Sequence, residues 1–207
     1  SNTDAGVATA LIQSSTLLGN CTKDYAIFEL DERLAHRVFA HITPTALICT
    51  NLYRDSIKRN GHAEFIFDRL NPGIPKKTTL ILNADDLISS SLQPKNNRIY
   101  FSVENVLKRE QKNIVSDIST CPKCNNPLKY EYHHHHHIGK ATCPKCDFQS
   151  PKSNYICTKI DKRKKLLTIK EDKVDNYPLI SDSIYNIYNT TTVIATLRTF
   201  KFRSEER

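Results

Sequence analysis

The sequence predicts an α/β fold, a mostly parallel sheet flanked by helices, with a four-cysteine metal-binding ribbon inserted late in the chain. Three observations predict it. Short, unbroken apolar runs alternate with stretches of helical spacing, as in strands covered on both faces by crossover helices. Two Cys-x-x-Cys motifs stand together in one polar, basic segment. The length of 207 residues, with 39% hydrophobic and 25% charged residues, suits one domain able to bury a core.

Residues 8–18 have helical spacing and stop at Gly19-Asn20. Tyr25-Ala-Ile-Phe-Glu-Leu30 reads as a first buried strand and residues 32–39 as a helix. Thr45-Ala-Leu-Ile-Cys-Thr50 is the second strand, and residues 54–70 form a helix broken by Asn71-Pro-Gly. Thr78-Thr-Leu-Ile-Leu-Asn83 is the third strand and Arg98-Ile-Tyr-Phe-Ser102 the fourth. The ribbon follows. Residues 155–159 and 165–170 are strand-like around a basic turn, and residues 184–200 close the chain as a helix. The expected division is an α/β domain of residues 1–116 and 153–207, with the ribbon as an insert at 117–152.

No apolar run approaches the roughly 18 residues of a membrane span, and no secretory leader opens the chain. Membrane-spanning and secreted classes are therefore not expected. The absence of Met predicts a segment of a longer chain. The five glycines form neither G-x-G-x-x-G nor G-x-x-x-x-G-K-[ST], so no phosphate-cradling loop lies in this segment. Of the net charge of +8, residues 121–173 carry +7, with 12 Lys/Arg against 5 Asp/Glu. The cluster Lys162-Arg163-Lys164-Lys165 crowns that segment. It suits an anionic partner or bilayer surface, and equally a solvated lysine-rich loop.

Cys121-Pro-Lys-Cys124 and Cys143-Pro-Lys-Cys146 are separated by 18 residues. Each motif turns tightly enough to offer two thiolates to one ion, and two such knuckles close a tetrahedral zinc shell. Two disulfides are the alternative pairing. Four protein ligands leave no position for water, so the zinc is expected to be structural. Cys21, Cys49 and Cys157 lie in apolar stretches and are expected to be buried. His133 to His137 form an unbroken run between the knuckles. A hairpin tip is expected there, one that would also collect adventitious nickel or zinc.

In a parallel sheet, ligands bind outside the carboxyl ends of the strands. The first three expected strands end in Glu29-Leu-Asp31-Glu32, in Thr50-Asn51 followed by Arg54-Asp55, and in Asn83-Ala-Asp85-Asp86. Carboxylates and amides delivered by three successive strands point to a Mg²⁺-phosphate site; the plainer reading is that they cap the helices that follow.

These motifs, with Tyr-Asn186-Ile-Tyr-Asn189, occur in the order seen in the Mur ligase central domain. The paired knuckles between the Asn-Ala-Asp-Asp strand and the Asn-x-x-Asn helix resemble the Mur-ligase-like subunits of lipid II isoglutaminyl synthase. The resemblance runs from about Gly6 to Phe200. It implies an enzyme that amidates the α-carboxyl of D-glutamate in the peptidoglycan stem, with ATP, Mg²⁺ and ammonia from a glutaminase subunit. It further implies that Glu29 is a magnesium ligand, that Asn51 and Asp55 line the phosphates, and that Asn186 and Asn189 meet the adenine. Asn83 and Asp85 would lie at the nucleotide edge. The family's phosphate loop is expected upstream of Ser1, and its C-terminal domain, with a catalytic Asp, beyond Arg207. No catalytic residue is therefore expected in this segment.

The family tends to carry acids where this chain has Lys58 and His62, and Thr190-Thr-Thr-Val replaces a small Ala. The expected location is cytoplasmic, with the basic insert turned to lipid II or the inner membrane face. A zinc ribbon that binds nucleic acid or docks a partner without catalysis is the alternative. Against nucleic acid, the only aromatics near the knuckles are Tyr130, Tyr132 and Phe148.

Overall fold

The computed structural model describes residues 2–52, 63–107 and 118–202. The chain runs α1 (Asp4–Gln13), α2 (Ala35–Phe39), β1 (Ala46–Cys49), α3 (Ala63–Gly73), β2 (Thr79–Asn83) and β3 (Arg98–Val103). It continues through β4 (Lys129–His135), β5 (Ile138–Thr142), β6 (Tyr155–Asp161), β7 (Leu166–Lys170), β8 (Val174–Pro178) and α4 (Ile184–Thr199). Six strands form one sheet in the order β1-β2-β3-β6-β7-β8, while β4 and β5 pair separately. Strands β1, β2, β3 and β6 are mutually parallel, and β7 and β8 continue antiparallel.

Both faces of the central strand β2 are covered, which is why its sequence is apolar without alternation. Leu80 and Leu82 pack with Cys49, Ile66, Leu70 and the α2 residues Ala35 and Phe39. Ile81, Phe101, Val103 and Cys157 point the other way, against Ile187, Tyr188 and Ile194 of α4. The hairpin residue Ile138 is wholly buried in that second cluster, so the insert is seated in the core.

Several sequence expectations need correction. Residues 25–30 form no strand: Ile27 is 93% exposed and the sheet begins at β1. Apolar content alone made that run resemble a strand, but among the described residues it has no ladder partner. Helix α1 starts earlier than expected because Thr3 caps it, accepting from the Gly6 amide at 3.4 Å. Helix α2 starts three residues late, after Asp31 has accepted the amides of Arg33, Leu34 and Ala35. Pro72 does not break α3, which runs on to Gly73. A Cβ on Gly73 would stand 2.8 Å from the His36 Cβ, so glycine permits the close approach of α3 and α2. Strand β8 was not expected; its polar, Pro-ended sequence pairs antiparallel with β7 at the sheet edge. Cys49 and Cys157 are buried as expected, and burial raises both thiols, that of Cys157 to about 11. Cys21 is exposed.

Among the described residues, no helix is long and apolar enough to cross a membrane.

Candidate functional site: a four-cysteine cluster and the carboxyl edge of the sheet

The Cys-Pro-Lys-Cys turns close as the spacing requires. The Cys121 amide donates to the Asn126 carbonyl and the Cys143 amide to that of Phe148, both at 2.8 Å. The Lys123 and Lys145 amides donate to the Cys121 and Cys143 sulfurs at 3.4 Å. The amides around Asn126 lower the Cys124 thiol to about 6. All four sulfurs lie within 4.8 Å of one another, with Cys121–Cys146 at 3.6 Å and Cys124–Cys143 at 3.5 Å. No disulfide joins them. Tetrahedral zinc with bonds near 2.3 Å needs sulfurs about 3.8 Å apart, so the donor set fits that ion.

The hairpin that rises from the knuckles meets the carboxyl edge of the sheet. Its turn is made at His136, with φ +48°, and His137, as the histidine run implies. The run is not an open tip, however: His134, His135 and His137 are buried. Burial holds the His135 imidazole down at about 4 and lowers that of His134. Four buried imidazole and phenol groups on the hairpin and α4 find partners at the edge. His134 Nε2 lies 2.8 Å from the Val103 carbonyl, and His137 Nε2 lies 2.9 Å from Asp86 Oδ1. The Tyr132 hydroxyl donates to Asp85 Oδ1 at 3.0 Å, and the Tyr188 hydroxyl to Asp85 Oδ2 at 2.7 Å. The Val103 amide also donates to Asp85 Oδ2, and the Gly139 amide to the Asp85 carbonyl.

Asp85 therefore joins β2, β3, the inserted hairpin and α4. Its burial raises the carboxyl to about 6, against the pull of those three donors. Gly139 has no room for a side chain, since a Cβ would stand 2.2 Å from the Tyr132 carbonyl oxygen. Gly139→Ala is expected to cost roughly 2 kcal/mol or more, seen as a lower denaturation midpoint with unchanged slope.

The sequence-derived site residues fall into distinct groups. Asn83 is buried: its amide donates to the Thr50 carbonyl at 2.8 Å and its oxygen accepts from the Asp85 amide at 3.0 Å. Asn83 and Asp85 thus brace the edge from beneath. Asn51 is half-buried just beyond β1, with its amide 3.4 Å from the Thr50 hydroxyl. Asn186 and Asn189 are exposed on α4, flanking the Tyr188 that reaches Asp85. Glu29 is exposed on the segment leading into α2. Asp55, with Arg54, Lys58 and His62, lies outside the described residues. Sequence reasoning missed the Tyr132, His134 and His137 contacts. The alternation of Tyr132 and His134 along β4 was the available signal, masked by reading the five histidines as a hairpin tip.

No protein-family model matches the chain. It is 30% identical over 200 residues to the MurT subunits of lipid II isoglutaminyl synthase (glutamine-hydrolyzing) from Staphylococcus aureus strains COL and N315. It is 25% identical over 206 residues to the MurT subunit of Streptococcus pneumoniae strain R6. Each alignment covers 95% of this chain. The chain is similar to part of a MurT subunit. It spans 44% of the length of those relatives. The structure resembles a pseudomurein peptide ligase type C from Methanothermus fervidus, with a TM-score of 0.66 and 26% identity. That match covers 82% of this chain and 34% of the other. The relatives are named as subunits of a lipid II isoglutaminyl synthase and the structural neighbour as a peptide ligase, and the chain shares the α/β fold of that neighbour.

Proposed function

We propose that this chain is the central, nucleotide-handling part of an amide ligase subunit acting on lipid II in peptidoglycan synthesis. The single observation that carries the reading is its 30% identity to MurT subunits across 95% of its length. The γ-phosphate of ATP passes to the D-glutamate α-carboxylate, giving an acyl phosphate and ADP. Ammonia from a glutaminase subunit then displaces phosphate to leave the amide. Such transfer is mostly positioning and charge neutralisation; an edge of carboxylates and amides can supply the first directly and the second only by holding Mg²⁺.

In this reading Glu29 holds Mg²⁺, and Asn51 with Asp55 faces the phosphates. Magnesium supplies neutralisation of phosphate charge. Asn186 and Asn189 meet the adenine, since one amide both donates and accepts. Asn83 and Asp85 fix the floor beneath them. Zinc on Cys121, Cys124, Cys143 and Cys146 holds the ribbon (residues 117–152 of the proposed division) and takes no part in chemistry, because its shell is closed. The exposed basic turn Lys162–Lys165 suits the anionic lipid-linked substrate at a membrane face. The docking of the hairpin counts against the nucleic-acid reading, since Tyr132 is 5% exposed and cannot stack on a base.

The test is calorimetric titration of the full-length parent chain with Mg·ATP. Asn189→Ala is expected to weaken binding about tenfold, the worth of one lost hydrogen bond. Glu29→Ala is expected to abolish the magnesium dependence of binding. Unchanged affinity in both variants would contradict the nucleotide assignment.

A further inference from the structure

We infer that His137 is a positioning residue for the carboxyl edge: from the inserted hairpin it fixes Asp86, and Asp86 fixes the turn that carries Asn51. Metal at the four cysteines and order at the edge of the sheet are thereby linked. The link to nucleotide rests on the function proposed above; the link between hairpin and edge does not.

The contacts form one continuous chain. The Asp86 and His137 side chains are both fully buried. Asp86 Oδ2 accepts the Leu52 amide at 2.7 Å, and Oδ1 accepts the Ile88 amide at 2.9 Å beside His137 Nε2. Leu52 follows Asn51 directly and is itself buried in the core beneath α2 and α3. Asp86 thus ties the end of β1 to the turn after β2, and the imidazole of the insert completes its set of partners. Taking that partner away leaves a buried carboxylate short of a hydrogen bond where water cannot replace it, which loosens the remaining two.

The other end of the same hairpin is held at the knuckles. Strand β5 ends at Thr142, next to Cys143, and Leu128 before β4 donates to the Ser119 carbonyl. A two-stranded hairpin is marginal by itself, so it is held by its two ends: the cysteine cluster, and the seat of His137, Ile138 and Gly139 on the sheet. Releasing the first end therefore weakens the second. The run His133 to His137 is thus read not as a metal sink but as the foot of the insert, and His137 is the member that bears on β1 through Asp86.

Amide hydrogen exchange in the full-length parent chain, bound to its partner subunit, tests the inference. The states compared are zinc-loaded, chelator-treated, His137→Leu and His137→Gln. Exchange at Leu52 and Ile88 is expected to rise about tenfold in His137→Leu and after chelation, while β7 and β8 stay unchanged. His137→Gln is expected to restore protection, since its terminal amide can donate to Asp86. The KM for Mg·ATP is expected to rise more than kcat falls in His137→Leu alone. Should that variant not fold, Asp86→Asn is expected to raise Leu52 exchange in the same way. Unchanged exchange at Leu52 in the folded variants, or no rescue by Gln, overturns the positioning role. ATP that protects residues 50–52 while the variants behave as wild type overturns the positioning role alone. Altered exchange in the variants, with no ATP protection of residues 50–52 in wild type, upholds the link between hairpin and edge and overturns the nucleotide reading.

Discussion

Cys143→Ser is expected to release the zinc proposed for the four-cysteine cluster and to unfold residues 118–152. Structural zinc supplies on the order of 10 kcal/mol to sites of this kind, more than a hairpin of two short strands can replace. The four sulfurs are already gathered within 4.8 Å of one another, so three of them hold the ion much less well than four. The damage is expected to spread. Ile138 belongs to the core cluster with Ile81 and Phe101, and His137 holds Asp86, so the sheet edge loosens with the insert. Metal content by mass spectrometry should fall from full occupancy to near zero, and limited proteolysis should cut within the ribbon. Cys21→Ser is the control, expected to change neither, because Cys21 is exposed and outside the cluster. Full zinc retention in Cys143→Ser would exclude the four-cysteine shell.

Asp85 gives the second large effect, and its sign depends on the substitution. Asp85→Ala leaves the Val103 amide and the Tyr132 and Tyr188 hydroxyls buried without their acceptor. At about 1–3 kcal/mol for each stranded group, the net loss should be roughly 3 kcal/mol or more, after the relief of removing a buried charge. Asp85→Asn keeps the shape and can satisfy all three, its oxygen accepting while its amide donates to one tyrosine.

The pH dependence separates the two roles of the group. The carboxyl is raised from 3.8 to about 6 in the folded chain. Between those values the folded state binds more protons than the unfolded, so stability falls as pH rises through the window, by on the order of 3 kcal/mol in all. Asp85→Asn removes that fall and is expected to be at least as stable as wild type at pH 7. His135, held at about 4 against an ordinary 6.5, works in the opposite sense: its contribution is lost as pH falls from 6.5 towards 4. Denaturant midpoints at pH 4, 5.5 and 7 check both signs, the Asp85→Asn curve isolating the histidine limb. An Asp85→Asn profile identical to wild type would contradict the buried, ionised carboxyl.

Much of the architecture was legible because a strand buried on both faces writes itself as an apolar run. Residues 78–83 and 98–102 fell within a residue of β2 and β3, and 184–200 within a residue of α4. The knuckle spacing likewise brought together the same four sulfurs that the fold gathers. The failures have one cause, that pattern reports local preference and not partnership. Tyr25-Ala-Ile-Phe-Glu-Leu30 has the composition of a strand but, among the described residues, no strand to pair with, whereas the polar β8 is a strand because β7 offers it an edge. The histidine run carried the same ambiguity. Alternating side chains on β4 reach Asp85 and the Val103 carbonyl, partners that lie 47 and 31 residues away and that no local window joins. Asn83 and Asp85 were legible as edge residues, but whether an edge side chain faces outward or braces the floor depends on Thr50, Tyr132 and Tyr188, which only the fold brings to them.

The most direct test of the central claim is reconstitution of the reaction. The full-length parent chain is incubated with its candidate glutaminase, glutamine, Mg·ATP and lipid II, and the stem peptide is followed by mass spectrometry. The predicted result is a carboxyl-to-amide mass change at D-glutamate that requires ATP and disappears in Glu29→Ala. An unchanged stem peptide, with the chain folded and its zinc in place, would contradict the ligase account.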